Sequence, residues 1–175
     1  MKNILQLIIT FFVFNVYAQK EAAPAYLLNQ KFPDSVTKFE INNRKGEKVT
    51  FKEVLEKHKG KKVVLDFWAS WCKQCRKGMP SLQALQKETE GKPIDYVFIS
   101  LDKKTEKWEA AIAKENLKGD HYVMVEGGWR NKNILTKYIN LDWIPRYMIL
   151  DEEGKVVFSK TLIASDPKFK EVLFK

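Results

Sequence analysis

The chain has 175 residues, of which 45% are apolar and 13% aromatic, enough to fill the core of one domain. Its net charge of +9 comes from lysines scattered among glutamates, which argues against nucleic-acid binding and for a solvated surface biased toward acidic partners. Only two cysteines are present, so a disulfide-stapled scaffold is excluded, and a zinc centre, which would have to recruit His58 and His121, is not expected.

Residues 1–18 hold one lysine, an apolar core over 4–16 and small or aliphatic residues at Val16 and Ala18. This is the pattern of a secretory signal peptide cut before Gln19. The core is shorter than the roughly 20 apolar residues of a membrane span. The mature chain is therefore expected to be exported, without stable membrane insertion, into an oxidising compartment such as the periplasm. Residues 19–30, polar and alanine-rich, predict a flexible leader, and the folded domain is expected over 31–175. Residues 37–42 and 47–51 flank a turn at Asn43 and Gly46 and predict a β-hairpin. A short helix is expected over 51–58, with Phe51, Val54 and Leu55 facing the core, followed by a solvated basic turn over 57–62.

An apolar strand, Val63-Val64-Leu65-Asp66-Phe67-Trp68, then runs into Trp71-Cys72-Lys73-Gln74-Cys75. Residues three apart share a helix face, so the two sulfurs can come within bonding reach. So small a loop stabilises a fold little, and the pair suits redox exchange better. At a helix start, unpaired N–H groups and the helix dipole favour the Cys72 thiolate, while Lys73, Arg76 and Lys77 add positive charge that solvent screens. Cys72 is the expected nucleophile, and Cys75, a turn deeper, the thiol that resolves the mixed disulfide. Asp66 is costly to bury ionised among Val, Leu, Phe and Trp, so it is expected to have a raised pKa and a chemical role. Haem attachment would need His where Arg76 stands.

A helix is predicted over 74–90, with Met79, Leu82 and Leu85 inward, Pro80 kinking it, and Gly91 and Pro93 as stops. The apolar run 94–101 predicts a buried parallel strand and completes a βαβ unit with the cysteines at a strand's carboxyl end. Further along come a helix over 105–117 carrying Trp108, Ala111 and Ile112, a strand over 122–125, and a helix over 132–139. Gly127-Gly128-Trp129 between them reads as a turn with one anchoring aromatic. Strands over 146–151 and 156–159 are joined by a hairpin turn, and a helix over 167–174 closes the chain.

Asp66-Phe67-Trp68-Ala69 followed by Trp71-Cys72-x-x-Cys75, with Ile144-Pro145 ahead of a later strand, resembles the active-site signature of the thioredoxin superfamily. The extra strand and helix over 122–139 and the string Ile149-Leu150-Asp151-x-x-Gly154-Lys155 resemble its exported TlpA/ResA-like branch. The resemblance implies an α/β, thioredoxin-like fold: a central mixed β-sheet flanked by helices, with an N-terminal β extension and a central strand-helix insert. It also implies that Asp66 exchanges a proton with Cys75, and that a cis Ile144-Pro145 bond faces the disulfide. The backbone of Ile144 would pair with a substrate chain as an added strand, and the Pro145 ring would keep other groups off the sulfurs. Arg146 stands where thioredoxins usually have Thr; with Trp71 and Trp143 it is expected to shape a partner-selecting groove. Lys73-Gln74 replaces the Gly-Pro of thioredoxins, so their potential does not carry over. The implied activity is thiol–disulfide exchange with exported proteins, using no cofactor or metal. The branch favours a reductant, for example of apocytochrome c cysteines in cytochrome c maturation, recharged by a membrane electron donor. Two alternatives stand beside it. One is a peroxide reductase, whose Pro-x-x-x-Thr/Ser-x-x-Cys loop is missing around Cys72; the other is a non-catalytic or copper-binding module.

Overall fold

The structure, a computed structural model, describes residues 24–124, 129 and 132–175. The expected signal peptide, the first part of the leader and Gly127-Gly128 lie outside these residues. Three helices begin where a side-chain oxygen satisfies free N–H groups. Thr50 accepts from the Glu53 N–H at 3.2 Å while the Glu53 carboxylate accepts from the Thr50 N–H at 2.6 Å, which starts α2 (Phe51–Lys57). Asn133 and Thr136 make the same reciprocal pair at α5 (Ile134–Tyr138), and Asp166 caps α6 (Pro167–Phe174). The remaining helices are a single turn, α1 (Asp34–Thr37), then α3 (Lys73–Glu88), which continues through the exposed Pro80, and α4 (Thr105–Glu115).

Among the described residues seven strands form one mixed sheet: β1 (Glu40–Asn43), β2 (Lys48–Thr50), β3 (Lys62–Trp68), β4 (Ile94–Ser100), β5 (Asp120–Val123), β6 (Arg146–Leu150) and β7 (Val156–Thr161). Their spatial order is β2-β1-β5-β4-β3-β6-β7, with β3, β4 and β5 parallel and the other pairings antiparallel. β3 is buried from Val63 to Trp68, which explains why this stretch is apolar except at Asp66: the sheet is covered, and only Lys62 at the strand's start is partly exposed. The expected hairpin is β1–β2, and it extends the sheet by pairing β1 with β5.

β5 starts two residues earlier than the sequence pattern predicts. Asn116 ends α4 in the left-handed conformation at φ 46°, and at Gly119 (φ 140°) an added Cβ would stand 2.5 Å from the Tyr96 carbonyl oxygen. Only glycine lets the chain pass that close to β4, and the strand begins directly afterward.

Two expectations need correction. The end of the predicted leader is packed: Leu27 is fully buried, the Asn29 N–H donates to the Val156 carbonyl at 2.8 Å, and the Val156 N–H donates to Gln30 at 2.9 Å. Tyr26, Leu27 and Leu28 sit side by side in an alanine-rich stretch, with no periodicity to show which of them turns inward. The basic turn after α2 is not wholly solvated either. His58 is buried with Nδ1 2.8 Å from Asp95 and Nε2 3.1 Å from Asp120, and Lys61 and Lys57 contact the same two carboxylates. This cluster ties the end of α2 to the starts of β4 and β5.

Replacing Leu27 by Ala is expected to cost about 2–5 kcal/mol, as for other fully buried leucines. Denaturant unfolding would show it as a lower midpoint at unchanged slope. An unchanged midpoint would restore residues 24–30 to the status of a loose leader.

Candidate active site

The βαβ unit delivers the cysteines to the carboxyl end of β3. Cys72 is the N-cap of α3, and its Sγ accepts from the Cys75 N–H at 3.0 Å. The two sulfurs are bonded at 2.09 Å, with the Cα atoms 5.3 Å apart. Cys72 is the outer of the pair, although only 6% exposed, and Cys75 is wholly buried. The Ile144–Pro145 peptide bond is cis, and the Ile144 carbonyl oxygen lies 3.7 Å from Cys72 Sγ. Main chain therefore passes directly beside the attackable sulfur.

The loop leading to Cys72 is held by a residue the sequence reading missed. Asp102, buried just after β4, accepts from the Ser70 N–H at 2.7 Å, the Ser70 hydroxyl at 2.6 Å and the Ser100 hydroxyl at 2.7 Å. The Leu101 N–H also donates to the Trp68 carbonyl at 2.9 Å. A carboxylate satisfied by three donors is a strong tether, since such charge-assisted bonds are roughly twice as strong as neutral ones. An Asp at a strand end carries no pattern, and only the fold brings it to Ser70.

Asp66 is 1% exposed on β3, and neither of its carboxyl oxygens has a hydrogen-bond partner among the described residues. Burial alone pushes its pKa well above the usual carboxyl range. Its neighbours in register are Phe98 on β4 and Tyr147 on β6.

Trp71 and Trp143 stand exposed at the rim, 54% and 46% respectively. Trp129 lies between them, its ring centroid 5.7 Å from that of Trp71 and 6.4 Å from that of Trp143. The anchoring aromatic expected in the insert thus joins the rim. Arg146 does not. It is fully buried, and its guanidinium donates to the Ile139 and Asn140 carbonyls at 3.1 Å each and pairs with Asp142. The expected groove residue is instead a clasp on the turn that carries Trp143, Ile144 and Pro145. An internal arginine needs acceptors, and those carbonyls supply them.

Comparison with known proteins places this geometry. The thioredoxin-like family matches residues 60–156. The chain belongs to the thioredoxin-like family. Thioredoxin-like protein YneN of Bacillus subtilis is 32% identical over 145 residues, covering 82% of this chain and 76% of that one. The thiol-disulfide oxidoreductase ResA of Bacillus thuringiensis is 28% identical over 68% of this chain, which spans 63% of that relative's length. Among solved structures, one described as a thiol-disulfide oxidoreductase of Bacteroides vulgatus superposes with a TM-score of 0.63 at 31% identity, over 83% of this chain and 92% of that one. A thiol:disulfide interchange protein DsbE of Chlorobium tepidum has the same TM-score at 26% identity, over 84% and 92%. The two solved structures share the architecture, they and ResA carry thiol-disulfide oxidoreductase or interchange names, and this chain carries a joined cysteine pair suited to that chemistry.

The folded protein holds the Asp66 proton to a higher pH than the unfolded chain, whose Asp titrates at about 3.9. This carboxyl's stabilising contribution is complete below that value and is lost as pH rises toward the folded pKa. Asp66→Asn is therefore expected to be more stable than the native protein at pH 8, with the difference shrinking to its minimum near pH ~4. Urea midpoints across that range check it, and parallel curves for the two proteins would contradict it.

Proposed function

We propose that this thiol–disulfide oxidoreductase reduces disulfides in exported proteins. The observation that carries the reading is the joined sulfur pair at the N-terminus of α3, with Cys72 outermost and beside the Ile144 carbonyl. In the reduced enzyme the Cys72 thiolate, favoured by the Cys75 N–H and the helix N-terminus, attacks one sulfur of a substrate disulfide. The substrate S–S bond breaks, its second sulfur leaves as a thiolate, and a mixed disulfide joins Cys72 to the substrate. Cys75 then gives its proton to the Asp66 carboxylate and attacks Cys72 Sγ. The Cys72–Cys75 bond forms, the remaining substrate sulfur leaves and takes up a proton, and two electrons have passed to the substrate.

Ile144 and Pro145 form the docking edge in this reading, and the exposed face of Trp71 completes it. Arg146 acts beneath them by holding their turn. The potential set by Lys73-Gln74 and the donor that restores the dithiol belong to the same proposal: a membrane electron donor, and a dedicated substrate such as apocytochrome c cysteines, follow from the TlpA/ResA-like resemblance. Export after removal of residues 1–18 is supported by the apolar pattern of that segment.

Cys75→Ser leaves Cys72 able to attack but unable to be resolved. It is expected to accumulate mixed disulfides in the exported fraction, identifiable by mass spectrometry, whereas Cys72→Ser captures nothing and has no disulfide reductase activity. Cytochrome precursors among the captured proteins would support the dedicated role. Peroxide turnover faster than protein-disulfide turnover, or retained function in the double Cys→Ser variant, would refute the proposal.

A further inference from the structure

Among the buried polar groups that have no partner among the described residues, the Asp66 carboxyl and the Tyr147 hydroxyl lie on paired strands under the cysteine helix. Both residues are essentially inaccessible, Asp66 at 1% and Tyr147 at 0%. They sit directly opposite each other on antiparallel β3 and β6, so their side chains share a face with Cβ atoms about 4.5–5.5 Å apart. That face looks toward α3. A Cβ placed on Gly78 would stand 3.7 Å from the Tyr147 hydroxyl, and Gly78 is one turn beyond Cys75 on the same side of the helix. Phenol, carboxyl and buried sulfur therefore share one interior space between α3 and the sheet. The neighbours on β4 and α6 are apolar: Phe98 lies opposite Asp66, and Phe169 packs on Tyr147, with ring centroids 6.1 Å apart. Besides burial, the charge that acts on Tyr147 is that of Asp66, which raises its pKa further.

Leaving two such groups unsatisfied in a core costs about 1–3 kcal/mol each, so their pairing in one place asks for a reason. We propose that Tyr147 is a positioning residue for Asp66, its hydroxyl donating through one bridging water to the carboxylate that takes the proton of Cys75. This rests on the proposed proton transfer from Cys75 to Asp66 and extends it. A donor to the ionised carboxylate favours that form, so the tyrosine moderates the rise that burial imposes on Asp66. Without it Asp66 holds its proton more tightly and accepts the Cys75 proton less often.

The test is Tyr147→Phe, which deletes the hydroxyl and keeps the ring against Phe169. Resolution of a preformed mixed disulfide is followed by stopped flow across pH. The alkaline-going limb of the rate profile is expected to move to higher pH, with the rate below the limb falling about two- to tenfold. In an Asp66→Asn background the same substitution is expected to change nothing further. A second reading needs no turnover: the infrared carboxylic-acid stretch of Asp66 in the oxidised protein, identified by its loss in Asp66→Asn, should move in Tyr147→Phe. An unmoved limb or an unmoved band overturns the inference. If the native enzyme resolved no mixed disulfide at all, the proposed function would fail while the infrared band still decided the place of Tyr147.

Discussion

A sulfur at the N-cap of α3 has to meet two demands at once: it must reach Cys75 within the helix and present itself to whatever arrives beside Ile144. Both depend on where the four residues between β3 and α3, Ala69 to Cys72, are held. Asp102 anchors that segment from the β4 side through Ser70, and the cis Ile144–Pro145 turn approaches it from the β6 side. The central strand supplies rigidity, since β3 is bonded along its length to β4 and β6. A loop of this kind on a rigid scaffold is where chemistry is usually placed in open α/β sheets.

Buried polar groups in this protein fall into two kinds, and the difference is informative. Asp102 and Arg146 are buried with several partners each, and both fix the conformation of a segment next to the sulfurs. Asp66 and Tyr147 are buried without partners in the same neighbourhood. Satisfied groups set geometry, because moving them would break bonds made in a low-dielectric interior. Asp66 and Tyr147, being unsatisfied and titratable, raise the energy of the folded state and keep their protons responsive to nearby charge, which suits a place where a proton has to change hands.

Much of this could be read from the chain itself. Cys72, Cys75 and Asp66 are conspicuous because each breaks a local rule: a cysteine pair too close to staple anything, and a carboxylate inside an apolar strand. Ile144-Pro145 became legible only through the family resemblance, since an isolated Ile-Pro has no such meaning. Arg146 was misplaced because a cation beside two tryptophans reads as surface, whereas β6 turns its side chain inward to the carbonyls of Ile139 and Asn140. The roles of Asp102 and His58 are not legible because Ser70 and Asp95 lie 32 and 37 residues away, and the place of Tyr147 opposite Asp66 is set by a strand pairing that no spacing records. Leu27 is not legible because a three-residue apolar run, Tyr26 to Leu28, carries no period.

The flanks of the sheet carry a consequence of their own. At one flank β2 is only three residues long and bears Lys48; at the other, residues 29 and 30 bond to Val156 at the start of β7, and the β6–β7 ladder is irregular around Ile149. Short, charged, capped or distorted flanks give a second copy of the chain no long flat ledge to extend. The N-terminal hairpin and the packed tail end thus act as selvedges on the weave, guarding against self-templated stacking at high local concentration.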